Sequence, residues 1–551
     1  MSEIETLLDD YACRRLSRRT FVRRLLAAGA GLGFAESLLG PGVSRALADP
    51  QSLRPRTPFV VMVVLDAFRA DYADLAPMPH LDWLASRGVR YPNAWVGQLE
   101  SYTPAGHATL TTGASPARTG VIGFQWRDPK TGAEDLTAWW NGVMSGRLEA
   151  TLRAHGVDSI PQAVKRLDPS ARVVSLSSEK YYAADAMGGP AADFIMFGRP
   201  MGAKIITQGI PHHQPPASFL KAPRLTWPWP LTFGQFDEMA MTMAIEALHL
   251  LDPRVLLINL PGADIYGHRI GGPDAPKVMA NIVQHADQQI GRLVSHLQRR
   301  GILDQTIIVV TADHGMVQNT YQLDDAVIKT AVKKAGGDLF FHVGGSSAYI
   351  WLRNPHDSAA VAANILSVLP TLPTNGTTPS DAITFAHYRH LVAGHYRYDP
   401  VVAPGTSLSP DLEAAYQYLF GTFNNLSAPD IVLSYPENMI SRAAADRHGE
   451  HGGATWGAQH VPLVISGPGV RRNFTSPFPA RLMDVAPTVF ALLGLNPHRM
   501  DGLVLADALQ HPHPAQLALQ DVHAPLLIAH QKAVIAQATL DLAAQAAAGA
   551  A

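Results

Sequence analysis

Residues 58–66 read PFVVMVVLD, an unbroken apolar and largely β-branched run that stops at a carboxylate. It lacks the alternation of a half-exposed strand, so it suits a strand buried on both faces. Three further runs share the pattern: Val255 to Leu260 leads toward Asp264, Thr306 to Thr311 into Asp313, and Val461 to Ser466 ends at Gly467-Pro468. Helical periodicity lies between them. It is clearest from Ala280 to Arg299, where Ile282, Val283, Ala286, Ile290, Leu293, Val294 and Leu297 form one stripe. Strand alternating with helix predicts an α/β fold, a mostly parallel sheet flanked by helices on both faces.

The chain has 551 residues, enough for one large α/β domain with insertions or for two or three ordinary domains. With 47% hydrophobic and 16% charged residues it holds ample core material and is no disordered chain. Its 44 basic and 46 acidic residues give a net charge of −2, which excludes a global basic field for nucleic acid or an anionic membrane. An anionic substrate therefore has to be held locally.

Ser17-Arg18-Arg19-Thr20-Phe21-Val22 is a twin-arginine pattern, followed by an apolar stretch from Leu25 to Leu39 and a small-x-small site at Ala46-Leu47-Ala48. That order predicts that residues 1–48 are a removed signal handled by the twin-arginine export machinery, leaving a periplasmic or secreted protein. The alternative is an amphipathic helix that stays attached. Glu36 breaks the apolar run, which is too short for stable membrane insertion. Cys13, the only cysteine, lies in this segment, so the mature chain would have neither thiol nor disulfide.

Residues 49–525 are predicted to form the catalytic domain, with an inserted smaller subdomain at about 317–445 that carries its own apparent strand, Ser347 to Leu352. Asp128 to about Ser170 and Met187 to Phe236 are rich in Pro, Gly and Trp, as in PHHQPP (211–216) and WPWP (227–230), and read as loops or lids. Residues 526–551 read as an Ala-rich helical tail.

Metal-binding residue types recur where the apolar runs end. Asp66 follows the first, Asp264 and His268 the second, Asp313 and His314 the third, and His451 precedes the fourth. Ligands of open α/β sheets gather beyond the carboxyl ends of strands, so these side chains can converge despite their separation in sequence. Three carboxylates and three imidazoles suffice for two mixed nitrogen/oxygen sites, a composition that favours two zinc ions over magnesium. Taken singly, Asp66 reads better as a cap or turn residue, and His268 or His451 as surface histidines. Thr103-Pro104 reads as an N-cap followed by proline in the first turn of a helix that continues through Thr112 to Gly113. Simple capping competes there with the use of a helix N-terminus to hold phosphate.

Joint occurrence in order decides between these readings. VVMVVLDAFRADY, SYTPAGHATLTTGASPARTGVIG, LINLPGADIYGHRIGG, VVTADHGM, EHGGATWGAQHVPLVISGPGV and MDVAPTVFALLGL run from Val60 to Leu495. In this order the chain resembles the alkaline phosphatase superfamily and, within it, the type I phosphodiesterase/nucleotide pyrophosphatase family. The resemblance implies an alkaline phosphatase-like fold and a small-molecule phosphate ester or nucleotide as substrate. It implies one ion held by Asp264, His268 and His451 and a second held by Asp66, Asp313 and His314. It also places the nucleophile at Thr103, ahead of Ser101 and Tyr102. Coordination would lower the pKa of the threonine hydroxyl for in-line attack on phosphorus, the other ion would steady the leaving oxygen, and a phosphothreonine would be hydrolysed by water.

One departure bears on substrate. Where the family typically has an asparagine after TGVIG, this chain continues Phe124-Gln125-Trp126-Arg127. Phe124 donates no hydrogen bond; Gln125, Trp126 and Arg127 are the substitute candidates for the missing donor, with Gln125 and Arg127 taken as phosphate-binding, and Arg127 would favour a dianionic monoester. Phosphodiesterase or nucleotide pyrophosphatase activity is the leading expectation, phosphomonoesterase activity the alternative, and a non-catalytic zinc-binding protein the remote one. A sulfatase ranks below these, since sulfatases of the superfamily use a modified cysteine or serine and position 103 is a threonine.

Overall fold

Phe59–Leu65 forms a strand, β1, in which every residue is buried. It lies near the middle of a ten-stranded sheet. The other strands are β2 (Gly88–Arg90), β3 (Val173–Ser177), β4 (Phe194–Met201), β5 (Lys204–Gly209), β6 (Thr226–Pro228), β7 (Val255–Leu260), β8 (Thr306–Thr311), β9 (Leu463–Ser466) and β10 (Phe474–Thr475). Their spatial order is β10-β2-β9-β8-β1-β7-β3-β4-β5-β6. The five strands from β8 to β4 are parallel. Antiparallel strands extend the sheet on both sides, β9 on β8 and β5 on β4. The computed structural model describes residues 58–231, 234–272, 275–373, 378–442 and 447–550; the twin-arginine segment 1–48 and Cys13 lie outside them.

A parallel core must be covered on both faces, and helices flank this one. The amphipathic stripe from Ile282 to Leu297 is buried on a helix, Pro276–Arg299. No helix among the described residues is long and apolar enough to cross a membrane.

Two stretches read as loops contain regular structure. Residues 187–236 hold β4, β5 and β6, which continue the main sheet, and residues 128–170 hold the helices Arg147–His155 and Ile160–Leu167. Pro200, Gly198 and the two proline clusters mask the strand pattern. Pro200 is tolerated because beyond Met196 β4 has register partners on β5 but none on β3, and Pro228 because β6 is the edge strand.

Between β8 and β9 a five-stranded antiparallel sheet runs in the order Leu339–Val343, Ser347–Leu352, Ile431–Ser434, Phe385–Val392, His395–Val402, over its own apolar cluster. A second, aromatic cluster joins this part to the rest: Tyr349, Trp351, Tyr398 and Phe420 share it with Trp95, Leu99 and Tyr102. The inserted sheet thus packs on the segment that leads into Thr103. The C-terminal helix spans Pro514–Ala550 and begins well before residue 526.

Candidate active site

Val64 and Thr311 are register partners on β1 and β8, so Asp66 and Asp313 leave the sheet side by side. Ala67 then adopts φ 55°, uncommon for a residue with a Cβ, and its N–H donates to Asp313 Oδ1 at 3.1 Å. The glycine of Asp313-His314-Gly315 answers to a close approach: a Cβ there would stand 2.0 Å from the Gly457 carbonyl oxygen. Beyond β7 the chain enters α1 (Gly262–Ile270), where Asp264 and His268, one turn apart, face the same way. His451 reaches the cluster from the segment before β9, and its Nδ1 donates to the Ser101 carbonyl at 3.0 Å.

All six predicted ligand-type side chains come together in two overlapping groups. Asp66, Asp313 and His314 form one set, with His314 Nε2 3.2 Å from Asp313 Oδ2 and 3.7 Å from Asp66 Oδ1. In the other, Asp264 Oδ1 lies 3.4 Å from both His268 Nε2 and His451 Nε2. His314 and His451 stack with ring centroids 3.7 Å apart and so join the sets.

Thr103 does not cap. The cap position of the helix Thr103–Thr112 is Tyr102, with no side-chain cap bond, and Thr103 is the first helical residue. Its hydroxyl is instead 3.1 Å from His314 Nε2. The neighbouring candidates are engaged elsewhere: Ser101 Oγ accepts the N–H groups of Gly452 and Gly453, and the Tyr102 hydroxyl donates to the Gly344 carbonyl.

Gln125 and Arg127 make no hydrogen bond to the ligand groups among the described residues. Gln125 lies between Glu134 and the Trp139 indole, and Arg127 pairs with Asp430 at 3.0 Å and with the Leu352 carbonyl. Arg127 thereby ties its hairpin to the inserted sheet. The cation inside the cluster is Lys180, which sequence reading missed. Its Nζ is 3.0 Å from Asp66 Oδ1 and 2.5 Å from Asp264 Oδ2. Lys180 follows β3 as the other groups follow their strands, and that was the available signal. Glu450, also unassigned, sits 3.7 Å from His268 Nδ1, on the ring edge away from Asp264, and binds Arg447.

Buried charge is unbalanced here. Burial raises the Asp66 pKa to about 6, with the Asp313 carboxylate adding to the effect. Burial alone would raise Asp264, but Lys180 and His268 hold it well below the ordinary range, and His314 and His107 do the same for Asp313. Burial, tempered by Asp313, lowers His314 to about 4, and burial also lowers His451, so both rings are neutral near pH 7. His268 moves upward because Asp264 and Glu450 outweigh its burial. Three buried carboxylates thus face one buried ammonium. Asp264 Oδ1 and Asp313 Oδ2 are inaccessible and have no hydrogen-bond partner. Orphaned carboxylate oxygens opposite neutral imidazole nitrogens, in a nest with excess negative charge, fit divalent cations held by mixed nitrogen and oxygen donors.

The fold is that of the alkaline phosphatase superfamily. The family model for type I phosphodiesterase/nucleotide pyrophosphatase matches residues 60–453, and the chain belongs to that family of phosphoric ester hydrolases. Its relatives include the alkaline phosphatase PhoK of a Sphingomonas species, 22% identical over 508 residues, covering 79% of this chain and 88% of that one. The bis(5'-adenosyl)-triphosphatase enpp4 of Xenopus laevis is 22% identical over 279 residues, half of each chain. Among solved structures, the alkaline phosphatase PafA superposes with a TM-score of 0.64 at 15% identity, over 83% of this chain and 99% of that one. Murine ectonucleotide pyrophosphatase/phosphodiesterase 5 gives 0.55 at 18% identity, over 82% and 100%. At these identities the structural likeness speaks for the fold.

Proposed function

We propose that the chain hydrolyses phosphate diesters through a phosphothreonine on Thr103, with two divalent ions, zinc by donor chemistry. One ion is assigned to Asp264, His268 and His451, the other to Asp66, Asp313 and His314. The observation that carries this reading is the Thr103 hydroxyl, released from capping and 3.1 Å from His314 Nε2 at the N-terminus of a buried helix. When bound, the ions would acidify that hydroxyl and neutralise charge on the phosphoryl oxygens. Thr103 Oγ1 attacks phosphorus as the bond to the leaving alcohol breaks; water then cleaves the threonine ester and releases a monoester. The positive end of the helix dipole favours the anion at this position. Family membership supports the reaction class, and Lys180 adds a cation that bridges Asp66 and Asp264 of the two ligand sets.

The test is turnover of bis-p-nitrophenyl phosphate against p-nitrophenyl phosphate on one zinc-loaded preparation, with and without Thr103→Ala. The reading expects diester preference and loss of turnover in the variant. Turnover surviving the substitution would exclude the threonine route, and zinc retention with no turnover in either protein would mark a non-catalytic binder.

Phosphomonoesterase activity is the second reading, favoured by Lys180, whose extra positive charge suits a dianion, and by the extensive likeness to PhoK. A strong preference for p-nitrophenyl phosphate, lost in Lys180→Ala, would establish it. The proposal includes export through residues 1–48; Arg18→Lys with Arg19→Lys is expected to leave the chain uncleaved in the cytoplasm, and normal processing would refute the twin-arginine route.

A further inference from the structure

One buried amide that takes no part in the proposed chemistry touches much of the site. Asn259, near the end of β7, is fully buried. Its Nδ2 donates to Asp66 Oδ2 at 2.7 Å and to His107 Nε2 at 3.0 Å, and its Oδ1 accepts from Ser177 Oγ at 2.8 Å. Ser177 Oγ also accepts the backbone N–H of Lys180 at 3.1 Å, so its one hydrogen is free for Asn259. These partners allow one orientation of the amide, oxygen toward Ser177 and both N–H groups toward Asp66 and His107. His107 Nε2 is then an acceptor, and the ring hydrogen sits on Nδ1. That atom lies 2.8 Å from the Thr103 carbonyl and 3.2 Å from Asp313 Oδ2.

We propose that Asn259 is a positioning residue for the ion set of Asp66, Asp313 and His314. Directly it fixes the Asp66 carboxylate. Through the tautomer of His107 it directs the Nδ1 hydrogen to the Thr103 carbonyl and so fixes the turn that presents Thr103. A plain core amide would satisfy itself on neighbouring backbone, whereas each of these side-chain bonds ends on Asp66, on His107 or on the Ser177 hydroxyl that holds the Lys180 turn. The imidazoles of the second set are oriented without Asn259, His451 by the Ser101 carbonyl and His268 by the Gly449 carbonyl at 2.8 Å, and Asp264 is reached only indirectly, through Lys180. The effect of losing Asn259 therefore falls mainly on one ion, which a general structural role would not produce.

The inference rests on the two-metal reading, and its test separates the two. Zinc content is measured at controlled free zinc for the wild type, Asn259→Leu, Asn259→Asp and each of these combined with His268→Ala, alongside kcat and KM for bis-p-nitrophenyl phosphate. The wild type is expected to hold two zinc ions. The Asn259 variants keep one at little-changed affinity and bind the other about 10- to 100-fold more weakly, as loss of an outer-shell partner does. Their kcat falls by a similar factor while KM is little changed, and the combined variants retain neither ion tightly. Asn259→Asp keeps the shape but brings a carboxylate oxygen against Asp66; should Asn259→Leu not fold, it and Ser177→Ala still decide, the latter with a smaller loss in the same ion. Unchanged affinity in these variants, or equal weakening of both ions, overturns the inference. A wild type holding fewer than two ions sinks the two-metal reading itself.

Discussion

The two ligand sets are built from the same residue types but anchored differently. Asp66, Asp313 and His314 come directly off adjacent central strands and are wholly buried. Asp264 and His268 ride on a nine-residue helix, and His451 on an irregular segment whose flanking residues pair with the inserted region. The side chain of His268 keeps 16% of its surface exposed. The first set draws its support from within the sheet core, Asn259 on β7 included, whereas the second relies on neighbours in irregular segments such as Gly449 and Glu450. The first set should therefore be tight and slow to exchange, and the second open to solvent and protons.

Breaking the deep set should have the largest effect. Asp313→Ala removes a buried carboxylate from Asp66, His107 and His314 together; kcat/KM for a diester is expected to fall about 10³-fold or more, since charge stabilisation by a metal is worth several kcal/mol. Added zinc should not restore it. A variant rescued by excess zinc would erase the distinction between the sets. His268→Ala should cost less at saturating metal, with activity returning as free zinc rises, measured as turnover against buffered zinc.

Acid sharpens the contrast. Only a neutral imidazole ligates, so an ion leaves as pH falls through the pKa of its histidine. His268 is raised above its ordinary 6.5, whereas His314 is lowered to about 4. Falling pH should release to a chelator first the ion held by His268, whose ring protonates most readily, and then the ion held by Asp66, whose carboxyl is raised to about 6. Simultaneous release would contradict the comparison. The smallest change is expected from Glu450→Gln, which removes a charge that holds the His268 pKa up. The first release should then shift to lower pH, with the second unmoved.

The sequence carried the ends of β1, β7 and β8 plainly, because a continuous apolar run that stops at Asp66 or Asp313 reports both a buried strand and what projects beyond it. The outer strands were hidden: proline and glycine break the pattern in the far end of β4, which pairs on one side only, and in the edge strand β6. Two site features were illegible for geometric reasons. A one-residue shift of the helix start turns the Thr103 hydroxyl from capping toward His314, and no propensity distinguishes those states. Lys180 and Asn259 belong to strand ends as the ligands do, but a lone lysine or asparagine after an apolar run carries no metal signature. Arg127 looked available because sequence does not show its partner, Asp430, three hundred residues away.

The most direct measurement is anomalous X-ray diffraction at the zinc edge from crystals of the zinc-loaded protein. Two peaks are expected, one among Asp66, Asp313 and His314 and one among Asp264, His268 and His451, with Thr103 Oγ1 beside the first. A single peak, none, or ions bound away from these six side chains would contradict the account.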